Sequence, residues 1–125
     1  MGYLTTHILD TTKGIAAAGV QIHLFKHHSD GQRECIHSTL SNDDGRCDQP
    51  LLQADSFVAG VYELEFEINE YFAKSKTSTQ SAHQEASTPD FLNTVVIRFG
   101  ISDEDAHYHI PLLVSPFAYS TYRGS

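Results

Sequence analysis

The ten residues GVYELEFEIN, Gly60 to Asn69, place Tyr62, Leu64, Phe66 and Ile68 at every second position, with Glu63, Glu65 and Glu67 between them. Side chains two apart share one face of a β-strand, whereas a helix would scatter them around its axis. So strict an alternation reads as a strand with one dry face and one wet face. The same period recurs in GVQIHLFKHH from Gly19 and in NTVVIRFGI from Asn93. Strands are also predicted in YLTTHILD near the start, ECIHSTLS from Glu34, HYHIPLLVS from His107 and FAYSTYRGS from Phe117. At least seven short strands, divided by turn signals such as DTTKG, SDGQ, NDDGR and ISDEDA, predict an all-β sandwich or barrel. Only NEYFAKSK, Asn69 to Lys76, is predicted to be helical. The segment TSTQSAHQEASTPD, 77–90, holds no large apolar side chain and is expected to be a polar surface loop.

The length of 125 residues suits one domain, 1–125. A formal net charge of −8 argues against a nucleic-acid binder, which needs a basic face. No stretch approaches the roughly 18 apolar residues of a membrane span. Met1 to Asp10 lacks the apolar run of a secretory signal, so the expected compartment is the cytoplasm. A peroxisomal address stays open, although Arg123-Gly124-Ser125 is not the S-K-L ending. Cys35 and Cys47 are then expected to be free thiols.

Three places put reactive side chains in ordered contexts. His7 in LTTHILD shares a strand face with Thr5 and Leu9, opposite Leu4, Thr6 and Ile8. On the residues alone, a strand histidine bonded to a neighbour comes first. Arg46 follows the tight-turn pair Asp44-Gly45, so its planar fork has a fixed origin from which to grip a carboxylate, an enolate or a urea-like edge. A solvated turn arginine is the competing reading. In HYHIP, His107 and His109 fall on one strand face, as two metal ligands or as a base and its partner. Zinc held with His7 lacks a clear carboxylate or thiolate, Cys47 being a weak candidate. Pro111 removes a backbone donor and predicts an edge strand or a bulge. Nucleotide and serine-hydrolase motifs are absent, and these residues name no substrate.

Taken together, LTTHILDTTKGIAAAGVQIHLFK, SNDDGRCDQPLL, FVAGVYELEFEINEYF, VVIRFGI and HYHIPLLVSPFAYSTYRGS resemble the 5-hydroxyisourate hydrolases, the transthyretin-related enzymes of urate breakdown. The resemblance runs in order from Leu4 to Ser125. Its most specific piece is the ending YRGS, which transthyretin, the hormone carrier, lacks. Segment 77–90 departs from the family by its length. The resemblance implies a transthyretin-like sandwich of two four-stranded sheets with one short helix. It implies a homotetramer, a dimer of dimers, with sites in a channel at the dimer–dimer interface, and no cofactor or metal. The implied reaction is hydrolysis of 5-hydroxyisourate, a cyclic amide, to 2-oxo-4-hydroxy-4-carboxy-5-ureidoimidazoline.

Family positions fall on His7, Arg46 and His109 as catalytic residues and on Tyr122, Arg123, Gly124 and Ser125 as substrate-binding ones. The two histidines would hold and deprotonate water and relay its proton, with the choice of base left open. Arg46 would grip the substrate and steady the developing oxyanion. Tyr122 would orient the substrate. Ser125 would bound the pocket through its hydroxyl or the terminal carboxylate, and Gly124 would let the backbone approach closely. His107 is expected to be either supporting or plainly structural. Two rival readings use the same residues: a carrier of a small aromatic ligand, and a zinc module on His7, His107 and His109.

Overall fold

The computed structural model describes residues 2–75 and 89–125. Strands run β1 Tyr3–Asp10, β2 Ile15–Ala16, β3 Gln21–His27, β4 Arg33–Leu40, β5 Leu52–Gln53, β6 Gly60–Phe66, β7 Val95–Ile101, β8 His107–Val114 and β9 Tyr119–Thr121. The seven expected strands are all present. The two-residue strands β2 and β5 and a 3-10 turn at Ala54–Ser56 add to them. The helix α1 spans Ile68–Ser75, one residue earlier than its pattern suggested. The surface loop expected over 77–90 lies, except for Pro89 and Asp90, outside the described residues.

Two sheets stack face to face. One has the order β4-β3-β6-β7, all antiparallel. The other has the order β2-β1-β8-β9, with β5 also pairing β1. This is the expected pair of four-stranded sheets, widened at one edge by the short β5. Within the second sheet β1 and β8 are parallel over their full length, from Tyr3 opposite His107 to Asp10 opposite Val114.

Alternation supplies the core. Leu4 and Ile8 of β1 and Ile110, Leu112 and Val114 of β8 face Ile22 and Leu24 of β3 and Tyr62, Leu64 and Phe66 of β6, all buried. Full burial of one such side chain contributes about 1.5–3 kcal/mol. Helix α1 closes one end by burying Ile68 and Phe72, which are four apart and share a face. It is tied to β1 by the Tyr71 hydroxyl, which donates to Asp10 Oδ2 at 2.8 Å. Asp10 is fully buried and also accepts the backbone N–H groups of Thr12 and Lys13 at 2.9 and 3.3 Å.

Pro111 stands in neither of the expected places. Strand β8 is interior, with β1 on one side and β9 on the other. The proline is accommodated by parity. His109 exchanges both backbone hydrogen bonds with Gly124, so alternate residues of β8 turn their N–H groups toward the tail. Pro111 would have to donate in that direction, opposite Tyr122, and it has nothing to give. The ladder therefore stops at Thr121, whose hydroxyl donates to the Pro111 carbonyl at 2.6 Å. It resumes in the same register at the bridge of His109 with Gly124. This is why FAYSTYRGS is regular only over Tyr119–Thr121.

Removing the Tyr71 hydroxyl leaves Asp10 with only backbone donors. Tyr71→Phe is expected to lower the unfolding free energy by about 2 kcal/mol, the scale of a hydrogen bond to a charged group. Denaturant unfolding checks this; an unchanged midpoint would show that the Tyr71 hydroxyl adds nothing to the anchoring of the helix.

Candidate active site

The site is built on the outer face of the sheet that contains β1 and β8. Thr5 and His7 alternate with buried Leu4, Thr6 and Ile8, so both stand on the outer side of β1. The parallel register sets Thr5 opposite His109 and Tyr3 opposite His107. The other edge of β1 is shared by three short partners. These are β5 at Tyr3 and Leu4, Arg46 at His7, and β2 at Leu9 and Asp10. Four backbones thus lie side by side in the order Arg46, His7, the β8 strand and Gly124.

The turn before Arg46 explains how an arginine on a loop is aimed. The Asn42 side-chain oxygen accepts the N–H groups of Asp44 and Arg46 at 2.9 and 3.1 Å, and the Asn42 N–H donates to the Arg46 carbonyl at 2.7 Å. Gly45 takes φ +75°, and its carbonyl accepts the Ile8 N–H at 2.8 Å. A Cβ there would lie 2.5 Å from the Ile8 carbonyl oxygen, so only glycine lets the turn press against β1.

A cavity of about 370 Å³ opens on this face, lined by Thr5, Thr6, Arg46, Cys47, Gln49, His107, His109 and Ser125. The Thr5 hydroxyl lies between the two β8 histidines, 2.7 Å from His107 Nε2 and 2.8 Å from His109 Nδ1. Tyr3 stacks on His107 with ring centres 4.1 Å apart. Gly124 holds His109 from the other side: a Cβ at Gly124 would touch imidazole Cδ2 at 3.4 Å. Among the described residues no three His, Cys, Asp or Glu side chains come together as they would around a metal ion.

Burial lowers the basicity of His109, and the charges of Arg46, His107 and His7 lower it further. The imidazole is therefore kept neutral, the form that can take a proton. The Cys47 thiol is pushed up to about 11 by burial and by Asp48, so it is neither nucleophile nor soft ligand near pH 7.

Arg46, His109 and Ser125 line one cavity together. His7 is not part of its lining; it bridges Arg46 and acts on His109 through its charge. Gly124 touches His109 through its backbone. Tyr122 and Arg123 line a second cavity of about 430 Å³ at the open edge between the sheets, with Ile97, Phe99, Tyr108 and Ile110. There the Arg123 guanidinium sits 4.3 Å over the Tyr108 ring. The terminal tetrapeptide is thus divided between two cavities. Sequence reasoning missed Thr5 and Asn42 as contributors. Thr5 had a signal, since it shares the His7 face, but its neighbours depend on the register with β8.

Replacing Arg46 by Met removes a positive charge that opposes protonation of His109. The His109 pKa is expected to rise toward its ordinary 6.5. A titration of the histidine ring carbons by NMR checks this, and an unmoved His109 would mean that the Arg46 charge does not reach it, leaving burial and the neighbouring histidines to set its basicity.

The family model described as "Transthyretin: HIUase/Transthyretin family" matches residues 4–124. A 5-hydroxyisourate hydrolase of Pseudomonas aeruginosa is 48% identical, over 100% of this chain and 93% of that protein. A solved (S)-allantoin synthase is 42% identical with a TM-score of 0.84, covering 99% of this chain and 44% of that one. Transthyretin from Sparus aurata is 30% identical with a TM-score of 0.81, covering 97% of this chain and 95% of that one. The chain belongs to the HIUase/Transthyretin family.

Proposed function

We propose, from that membership and from the site on β1 and β8, that this protein is a 5-hydroxyisourate hydrolase acting in urate degradation. The observation that carries the reading is that an imidazole, His109, and a guanidinium, Arg46, line one open cavity, where burial and that guanidinium lower the basicity of the imidazole. It agrees with the activity named for the Pseudomonas aeruginosa relative.

The residue types suit the reaction. Water bound in the cavity gives a proton to His109 Nε2, for which the described residues offer no other hydrogen-bond partner. Its oxygen attacks the ring carbonyl carbon at the N1–C6 bond. The carbonyl pair moves to oxygen, and the oxyanion forms against the Arg46 guanidinium. On collapse the C–N bond breaks, and the leaving nitrogen takes the proton back from His109. His7 takes part from beside Arg46, and Ser125 and Gly124 close the cavity around the substrate. Tyr122 and Arg123 bind it from the neighbouring edge, which requires the substrate to reach past Gly124. No cofactor takes part in these steps.

In this reading the protein is one domain over 1–125 and a homotetramer, a dimer of dimers, with this sheet toward the central channel. The exposed Ile15, Phe117 and Tyr119 on and beside the same sheet support burial there. The cytoplasm fits its two unpaired cysteines, one of them exposed.

The test is ultraviolet decay of 5-hydroxyisourate, made from urate with urate oxidase, with and without the protein. Faster decay is expected, and decay at the spontaneous rate would leave a transthyretin-like carrier of a small aromatic ligand. His109→Asn should slow the reaction by at least about 10²-fold, the contribution of a general base. Deleting Gly124 and Ser125 should slow it by roughly 10²-fold through loss of positioning, with the fold intact by circular dichroism. Full activity in the shortened protein would remove the tail from the mechanism.

A further inference from the structure

We propose that Thr5 is a positioning residue that sets the tautomer of His109 and joins it to His107 as a proton store. This rests on the hydrolase reading. One hydroxyl faces two imidazoles, at 2.7 Å from His107 Nε2 and 2.8 Å from His109 Nδ1. A hydroxyl carries a single proton and can donate to only one of them. The other contact must then be a ring N–H donating to the Thr5 oxygen. If Thr5 donated to His109, neutral His109 would carry its proton on Nε2 and could not act as a base in the cavity. The useful polarity is the reverse. His109 Nδ1–H donates to Thr5 Oγ1, and Thr5 Oγ1–H donates to His107 Nε2, which leaves the His109 Nε2 lone pair bare.

The same chain moves charge. When Nε2 of His109 takes a proton from water, its Nδ1 proton passes to Thr5 Oγ1 as the Thr5 proton passes to His107 Nε2. The positive charge now sits on His107, one hydroxyl removed from the imidazole that took the water proton. Thr5 is again a neutral hydroxyl, and His109 is neutral with its proton on Nε2. When the leaving nitrogen takes that proton, the two transfers reverse and all three side chains return to their starting forms. The water proton ends on the leaving nitrogen, and no other donor is needed. His107 is built for this place: its ring is clamped by the Tyr3 stack, within 13° of parallel. The charged and titratable groups around the pair are His7, Arg46 and Tyr3, with Cys47 and Ser125 on the wall of the same cavity.

Thr5→Val keeps the shape and strand preference and removes only the hydroxyl, and Thr5→Ser restores it. In the unmodified protein, nitrogen-15 NMR of the histidine rings should find neutral His109 protonated on Nδ1. In Thr5→Val that preference should be lost, kcat should fall at least about tenfold with KM little changed, and Thr5→Ser should recover most of it. A kcat proton inventory in mixed light and heavy water should be curved in the parent protein and linear in Thr5→Val. His109 protonated on Nε2 in the parent protein, or a Thr5→Val variant with unchanged kcat, would overturn the proposal. The ring measurement needs no substrate, so it stands or falls apart from the hydrolase reading, which the parent protein's own activity decides.

Discussion

The structure depends on one pairing, the parallel ladder between β1 and β8. Eight residues at one end of the described chain lie against eight residues about a hundred positions later. Parallel neighbours need a crossing connection rather than a hairpin. Here that connection contains the whole of the β4-β3-β6-β7 sheet, so closing the ladder also sets one sheet against the other. The ladder buries Leu4 and Ile8 beside Ile110, Leu112 and Val114 on its inner face. On its outer face the same register brings Thr5 to His109 and Tyr3 to His107. A slip of one residue would expose the apolar set and scatter the histidines, so stability and site geometry select the same register.

The two outer faces of the sandwich differ in kind. On the β4-β3-β6-β7 sheet, Glu63 is only 5% exposed and is met by Arg33 Nη1 at 2.6 Å, His27 Nε2 at 3.0 Å and Arg98 Nε at 3.4 Å. Burial pushes its carboxyl up, but His27, Arg98 and Arg33 outweigh that and hold it below the usual range. The charges at the centre of that face are thus paired with one another around Glu63. On the β1–β8 face the polar groups instead surround open space. Among the described residues His109 has one ring nitrogen bonded and one free, and Arg46 has no carboxylate partner.

Much of the site was legible because strand geometry is local. Alternation alone puts His7 and Thr5 on one side of β1 and His107 and His109 on one side of β8. Asp44-Gly45 announces the turn that launches Arg46, and YRGS carries the family likeness. Pro111 misled because its cost depends on which neighbour its missing N–H would face. Parity toward Gly124 answers that, and it is a relation between two strands. Tyr122 and Arg123 lie within three residues of Ser125 in sequence, yet they line another cavity, because the tail runs along the rim between the two faces.

The sequence by itself determined the strands, their wet and dry faces, the family and the residue types at the site. Each of these follows from the two-residue period of a strand or from a motif read in order. Only the tertiary structure decided that Thr5 stands between two imidazoles, that Arg46 lies beside His7, and that the ending is divided between two cavities. Those are contacts between segments far apart in the chain. Their register is chosen by how two sheets bury their apolar faces together, a choice that no single segment contains.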